Sequence, residues 1–129
     1  MNKLYHKEIC FPNCNYKAYI EEIINKPYIL SHHVLEWLET PNRSHNITLK
    51  GLNYAIYKIR RTNAQPFEIE MKDDKIVKCA IRIKYNNKQD ITVVFLDKGD
   101  FTKIKTCWLN KNGDFHKSLD ITKYERENI

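Results

Sequence analysis

The C-terminal stretch of the chain, residues 101 to 124, concentrates side chains that could cleave a phosphodiester. It begins with strand-like alternation, passes through an Asn-Gly-Asp turn and continues into a polar tail with His116, Lys117, Ser118 and Tyr124. An imidazole that transfers protons, a cation and hydroxyl groups are what such chemistry requires. An ordinary surface loop contains the same residue types, so the tail favours a site without establishing one.

A second pair of acid–base candidates opens a predicted helix. His32 and His33 directly follow Ser31, which is a favourable N-cap residue. Neighbouring residues on a helix point about 100° apart, so one of the two imidazoles faces away from the core. That imidazole could act as a general base, or the pair could be polar first-turn residues without a chemical role.

Basic residues occupy the polar positions of two predicted strands: Arg82, Lys84, Lys103 and Lys105. If this face packed against helices, the cations would be buried without counterions at several kcal/mol each, so the face meets either solvent or a polyanion. Aromatic residues interleave with these cations, and such rings can stack on nucleobases: Tyr85, Phe101 and Trp108. Each ring could equally be a core residue.

The alternation within the last strand raises a conflict. Thr106 and Trp108 fall on the opposite parity to Lys103 and Lys105. If the alternation is unbroken, Thr106 and the lysines cannot share one face of the sheet. A β-bulge would bring them together, but nothing in the sequence marks one.

Length and composition predict a single domain over residues 1–129, with a core of its own and an anionic partner. The chain has 42% hydrophobic residues and a formal net charge of +6, with a pI near 9.1. Nucleic acid is the commonest partner of small basic domains, although basic proteins without nucleic-acid partners are also frequent.

The N-terminus and the cysteines predict a soluble, cytoplasmic protein without a metal or cofactor. The first 14 residues contain no long apolar run, so they resemble neither a secretion signal nor a membrane anchor. Cys10 and Cys14 are spaced unlike a paired zinc signature, and Cys79 and Cys107 lie within strand patterns, where a thiol behaves as a small core residue.

Hydrophobic periodicity predicts three helices in the N-terminal half, after a lead-in over residues 1–14 that is irregular or a short strand. The first helix begins near Asn15 and ends soon after Asn25, before Pro27. The second follows its cap Ser31 and ends before Pro41, and the third covers residues 49–61 behind its cap Thr48.

After Pro66 the period changes from 3.6 to 2. Alternation predicts strands over residues 67–72, 77–85, 91–96 and 101–109, and the apolar character of residues 91–96 on both faces predicts a central strand. Short turns join successive strands, which favours antiparallel pairing. The predicted fold class is therefore α+β, with three N-terminal helices followed by a four-stranded antiparallel meander sheet.

Four segments together resemble a known family: SHHVLEWLE, ITLKGLNYAI, VVFLDKG and KTCWLNKNGDFHKSLDITKY. They are similar to phage- and toxin-associated members of the barnase/EndoU/colicin/RelE superfamily of small ribonucleases. The resemblance covers approximately residues 31–124, and the C-terminal motif is its more specific half.

The resemblance implies a metal-independent endoribonuclease with helices packed against a curved four-stranded sheet. His33 takes the place of the family's helix histidine and Thr106 that of its strand hydroxyl, while Asn110, His116 and Tyr124 fall on the tail motif. Relatives often carry Arg or Lys where this chain has Trp37. The missing cation could therefore come from one of three other residues: Arg60, Arg61 or Lys50.

The leading hypothesis is RNA cleavage by attack of the ribose 2′-OH on the adjacent phosphate. His33 and His116 would form the acid–base pair, with Thr106 and Tyr124 positioning the phosphate. Arg60 or Arg61 would stabilise the phosphorane, and Trp37 or Trp108 would stack on a base. The expected RNA-binding residues are Lys50, Arg82, Lys84, Lys103, Lys105, Trp108, Asn110 and Lys117.

Two alternatives use the same fold. The chain could be a catalytically inactive RNA-binding or inhibitor protein of a mobile element, and the positive charge suits this as well as it suits an enzyme. It could also act together with a protein partner, an antitoxin or immunity protein, in either case. The sequence leaves the RNA target, the base preference and the oligomeric state open.

Overall fold

The computed structural model describes residues 5–9, 17–40, 47–64, 66–73 and 75–111, and for residues 5–9, 110 and 111 it describes the backbone alone. Three α-helices precede the central strands, as predicted: α1 (Lys17–Asn25), α2 (His32–Glu39) and α3 (Leu49–Thr62). Both predicted caps are confirmed. The hydroxyl of Ser31 accepts a hydrogen bond from the amide of Val34, and that of Thr48 accepts one from the amide of Gly51.

Six strands form one sheet: β1 (Tyr5–Ile9), β2 (Tyr28–Leu30), β3 (Glu68–Lys72), β4 (Lys75–Lys84), β5 (Gln89–Asp97) and β6 (Thr102–Lys111). Their order across the sheet is β1-β3-β4-β5-β6-β2. The strands β3 to β6 form the antiparallel meander that the sequence predicts, with β5 in the interior. β1 extends it antiparallel beside β3, whereas β2 pairs parallel with β6.

The predicted sheet of four antiparallel strands is therefore wrong, because the sheet is mixed and has an added strand at each edge. β2 has only three residues, between Pro27 and the helix cap Ser31, which is too short to show a period. Its partner is distant in sequence, since Tyr28 pairs with Thr102. The parallel pairing continues beyond the strand itself, because the amide of Thr102 donates to the carbonyl of Pro27 at 2.9 Å.

The helices cover one face of the sheet. The main core joins α1, α2 and α3 to the strand residues that point toward them, and its largest fully buried side chain is Phe95. Cys79 and Cys107 form no disulfide, and their thiols are buried within it, as the sequence predicts. A smaller apolar cluster of Ala80, Val94 and Trp108 has the opposite parity on its strands and so lies on the other face.

Candidate functional site

A β-bulge in β6 resolves the conflict that the sequence leaves open. Val94 of β5 pairs with Thr106, but the next residue, Phe95, pairs with Ile104, so that Lys105 is the extra residue. The bulge reverses the alternation along the strand. As a result, Lys103 and Thr106 lie on the same face of the sheet, the face opposite the helices.

Lys105 joins an ion pair on this face. The ammonium of Lys78 lies 3.1 Å from a carboxylate oxygen of Glu70, and their side chains are only 13% and 5% exposed. The pKa of Lys105 is lowered mainly because its neutral amine, unlike its ammonium, can accept a hydrogen bond from Lys78. Burial and the charge of Lys78 lower this pKa further, and Lys103 adds a smaller effect, whereas the Glu70 carboxylate opposes the shift.

The three lysines Lys78, Lys103 and Lys105, together with Glu70, are called the lysine cluster below. An anion placed among the ammonium groups would offset the repulsion between them. A phosphate has the charge and the acceptor oxygens to do so. Thr106, the next residue after the bulge, adds a partly exposed hydroxyl on this face.

The N-terminus of α2 is attached to the bulge. The Ser31 hydroxyl donates to the carbonyl of Lys105 at 2.8 Å, and the Ser31 amide donates to the carbonyl of Ile104 at 3.0 Å. The exposed side chains of His32 and His33 follow directly, and the His33 ring stacks on Trp37 at 6.0 Å between centroids. The bulge therefore anchors the helix that carries the predicted base.

The helix that carries the histidines and the side chains of Lys78 and Glu70 nevertheless lie on opposite faces of the sheet. α2 buries Val34 in the main core, on the helix-covered face, whereas Lys78 and Glu70 have the parity of the other face. The connection between α2 and the lysine cluster is the hydrogen bond from Ser31 to the backbone carbonyl of Lys105.

Arg60, one of the predicted catalytic cations, has a structural position. Its guanidinium donates to the carbonyls of Ile24 at 2.7 Å and Lys26 at 2.6 Å, where α1 ends. It also lies 5.0 Å from the centroid of the Tyr28 ring. Arg60 thus satisfies the C-terminal carbonyls of α1 and holds α1 and β2 against α3.

The remaining predicted cations do not join the lysine cluster. The guanidinium of Arg61 donates to the hydroxyl of Tyr57 at 2.9 Å, on the surface of α3, and Lys50 is exposed in the first turn of the same helix. On the sheet, Arg82 forms an ion pair with Asp90 at 2.8 Å. Lys84 is exposed near the end of β4.

The predicted aromatic and tail residues do not join the lysine cluster in the part of the chain that the structure describes. Trp108 is only 7% exposed and packs on Ala80 and Val94, so its ring belongs to the smaller apolar cluster. The backbone of Asn110 pairs with that of Asp90 on β5. Four predicted tail residues lie outside the described residues: His116, Lys117, Ser118 and Tyr124.

Sequence reasoning missed Lys78, Glu70 and the anchoring role of Ser31. A signal for Lys78 was present, since it shares the parity of Arg82 and Lys84 in its strand. Alternation placed Glu70 among the polar residues of its strand, but its contact with Lys78 depends on how the two strands pair.

Comparison of the chain with protein-family models, with curated proteins and with solved structures gives no match. Within the part of the chain that the structure describes, no three His, Cys, Asp or Glu side chains are grouped so that they could hold a metal ion. Among the described helices, none combines the length and the apolar composition needed to cross a bilayer.

Proposed function

We propose that this protein binds RNA at the bulge of β6 and cleaves it by transesterification through the ribose 2′-OH. The observation that carries the proposal is the bulge itself, because it places Lys103 and Thr106 on one face, beside Lys78 and Lys105. A phosphate bound there would meet several ammonium groups and a hydroxyl. The net charge of +6 and the resemblance to small ribonucleases support RNA as the ligand.

In this mechanism the lysine cluster supplies the positive charge that the sequence hypothesis gave to Arg60 or Arg61. Lys78 and Lys105 would stabilise the charge that develops on the phosphorane, and Thr106 would hold one phosphate oxygen by a hydrogen bond. His33 and His116 would remain the acid–base pair that removes the proton from the 2′-OH and returns one to the leaving 5′-oxygen. The products would be a cyclic phosphate and a free 5′-OH.

A second candidate function is RNA binding without cleavage. The observation that favours it is the position of α2, since Val34 anchors that helix on the face opposite the lysine cluster. In that case the cluster holds the phosphate backbone and the histidines are surface residues. A small acidic protein partner, an antitoxin or immunity protein, is compatible with either function and would be found by copurification.

The test is incubation of the purified protein with 5′-labelled RNA in the presence of EDTA. Fragments that end in a cyclic phosphate support the enzyme, whereas intact RNA with retarded migration supports the binding protein. Positioned acid–base groups contribute roughly 10² to 10⁴-fold each, so we expect His33→Ala and His116→Ala to slow cleavage by at least about 100-fold. His32→Ala is the matched control, because His32 is also exposed and lies beside His33.

Lys105→Gln tests the binding part of the proposal. It removes one ammonium of the cluster and should weaken RNA binding, with a salt dependence reduced by about one unit in slope. Wild-type affinity and an unchanged slope in this variant would remove the bulge from the RNA site. Cleavage that proceeds at the wild-type rate in both histidine variants would remove the imidazoles from the mechanism.

A further inference from the structure

We propose that the exposed face of α3 binds single-stranded RNA as a second contact surface, separate from the bulge of β6. The inference takes its ligand, RNA, from the proposed function but does not require cleavage. α3 packs against the helix-covered side of the sheet through residues such as Leu52 and Ile56, whereas the lysine cluster lies on the other side. The two surfaces are thus separated by the sheet.

All the charged side chains of α3 are positive. Its sequence, LKGLNYAIYKIRRT, contains no acidic residue. Arg60 is turned inward to the end of α1, but Lys50 and Arg61 are exposed and Lys58 is partly exposed. An outer helix face with cations and no counterion of its own is complementary to a polyanion.

Two tyrosine rings project from the same face, which distinguishes it from an ordinary basic helix. Tyr54 is 40% exposed and Tyr57 is 60% exposed. Each ring has a cation above it: the Lys58 ammonium lies 5.8 Å from the centroid of Tyr54, and the Arg61 guanidinium carbon lies 6.0 Å from that of Tyr57. Exposed aromatic rings interleaved with cations are the elements that bind single-stranded nucleic acids, the rings by stacking and the cations by phosphate contacts.

Contacts within the protein hold these rings in place before any ligand binds. The Arg61 guanidinium donates to the Tyr57 hydroxyl at 2.9 Å, and the Tyr54 ring packs on the Tyr85 ring at 5.6 Å between centroids. Because the rings are already oriented, less conformational entropy is lost when a base stacks on them.

A groove beside Tyr57 has the size and lining for a nucleobase. Its volume is about 410 Å³, and it is lined by Ile56, Tyr57, Arg60 and Arg61. Ile56 supplies an apolar surface, Tyr57 supplies a ring, and Arg61 adds a positive charge beside them. An acidic peptide would use the cations but not the ring, so this combination favours RNA.

The experiment measures the binding of a fluorescein-labelled 2′-O-methyl oligouridine, which cannot be cleaved through its 2′ position, by fluorescence anisotropy. Tyr57→Ala should weaken binding by roughly 5- to 150-fold, the range observed when a base–aromatic stack is removed. The matched control is Tyr19→Ala, because Tyr19 is 66% exposed on α1 but lies near Glu21 and Glu22. That variant should bind within about twofold of wild type. Thermal melting confirms that both variants are folded.

Lys58→Gln tests the phosphate contact, with Lys98→Gln in the exposed turn before β6 as its control. The first should reduce the salt dependence of binding by about one unit in slope, and the second should leave it unchanged. Wild-type RNA affinity in Tyr57→Ala would overturn the inference. So would weakening of polyglutamate binding by Lys58→Gln with no effect on RNA, which would identify an acidic protein as the partner.

The outcomes for this surface and for the proposed enzyme can be separated. If the wild type leaves RNA intact in EDTA but Tyr57→Ala weakens binding, the α3 surface stands and the cleavage proposal fails. If the wild type cleaves RNA and Tyr57→Ala binds as well as wild type, only the α3 surface fails. If both hold, Tyr57→Ala should cleave a dinucleotide at the wild-type rate, because so short a substrate does not reach α3.

Discussion

Replacing Arg60 with alanine separates a structural role from the catalytic role that the resemblance to small ribonucleases suggested for it. The substitution removes two hydrogen bonds to the carbonyls of Ile24 and Lys26, at 2.7 and 2.6 Å, and the contact with the Tyr28 ring. A hydrogen bond to a charged group contributes about 1.5 to 3 kcal/mol. Because Arg60 is only partly buried, the freed carbonyls regain some water, so we expect a total loss of about 2 to 4 kcal/mol.

Urea unfolding followed by tryptophan fluorescence measures this loss, and calorimetry should show a melting temperature lowered by roughly 6 to 16 °C. Arg61→Ala is the matched control. The Arg61 side chain is exposed, and its hydrogen bond goes to the neighbouring surface residue Tyr57. The free energy of unfolding of this variant should therefore change by less than about 0.5 kcal/mol. Arg60→Lys should recover less than half of the loss, because an ammonium cannot reproduce the planar pair of donors.

A free energy of unfolding of Arg60→Ala within about 0.5 kcal/mol of wild type would show that these hydrogen bonds do not stabilise the fold. If this equally stable variant failed to cleave RNA, the guanidinium would belong to the catalytic site, as the sequence hypothesis proposed.

Three further predictions concern the bulge and the core. Glu70→Gln should destabilise the fold by about 2 to 4 kcal/mol, because it removes the carboxylate that pairs with the poorly exposed Lys78. In a double-mutant cycle, adding Lys78→Met should restore most of this stability, whereas additive effects would contradict the ion pair. Ser31→Ala should cost about 1 to 2 kcal/mol in urea unfolding and speed amide exchange at Val34, whereas wild-type exchange would show that the cap is dispensable. Burial raises the pKa of Cys107 to about 12 from 9.0, so the folded thiol keeps a proton that the unfolded thiol releases, and stability should fall by about 1 kcal/mol between pH 9 and 10. A Cys107→Ala variant with the same pH dependence as wild type would disprove this contribution.

The helices and the meander could be predicted because their signals are local. Ser31 and Thr48 cap their helices through amides only three residues away, and the strands β3 to β6 are joined by short turns. β2 could not be predicted in the same way. Its three residues are held by pairing with Thr102–Ile104, and nothing within a window of neighbouring residues indicates that partner.

The sequence does not mark the bulge, which becomes recognisable only from the burial of the residues around it. Ile104 and Cys107 are both fully buried in the main core although they differ in parity, which is the trace that an extra residue leaves in a strand. The apolar residue Trp108 obscured it, because this ring is buried on the other face. The position of Arg60 was similarly hidden, since its hydrogen-bond acceptors belong to a helix far earlier in the chain.

Both margins of the sheet are closed by segments from the first thirty residues, β1 beside β3 and β2 beside β6. During synthesis β2 leaves the ribosome well before its partner, so it has no parallel pairing until Thr102 and the residues after it have been made. A chain shortened to begin after residue 30 would leave rows of backbone donors and acceptors open along β3 and β6. Such rows recruit strands from other molecules. In the full sheet β1 and β2 are the edges instead, and strands of only five and three residues offer fewer donors and acceptors for such pairing.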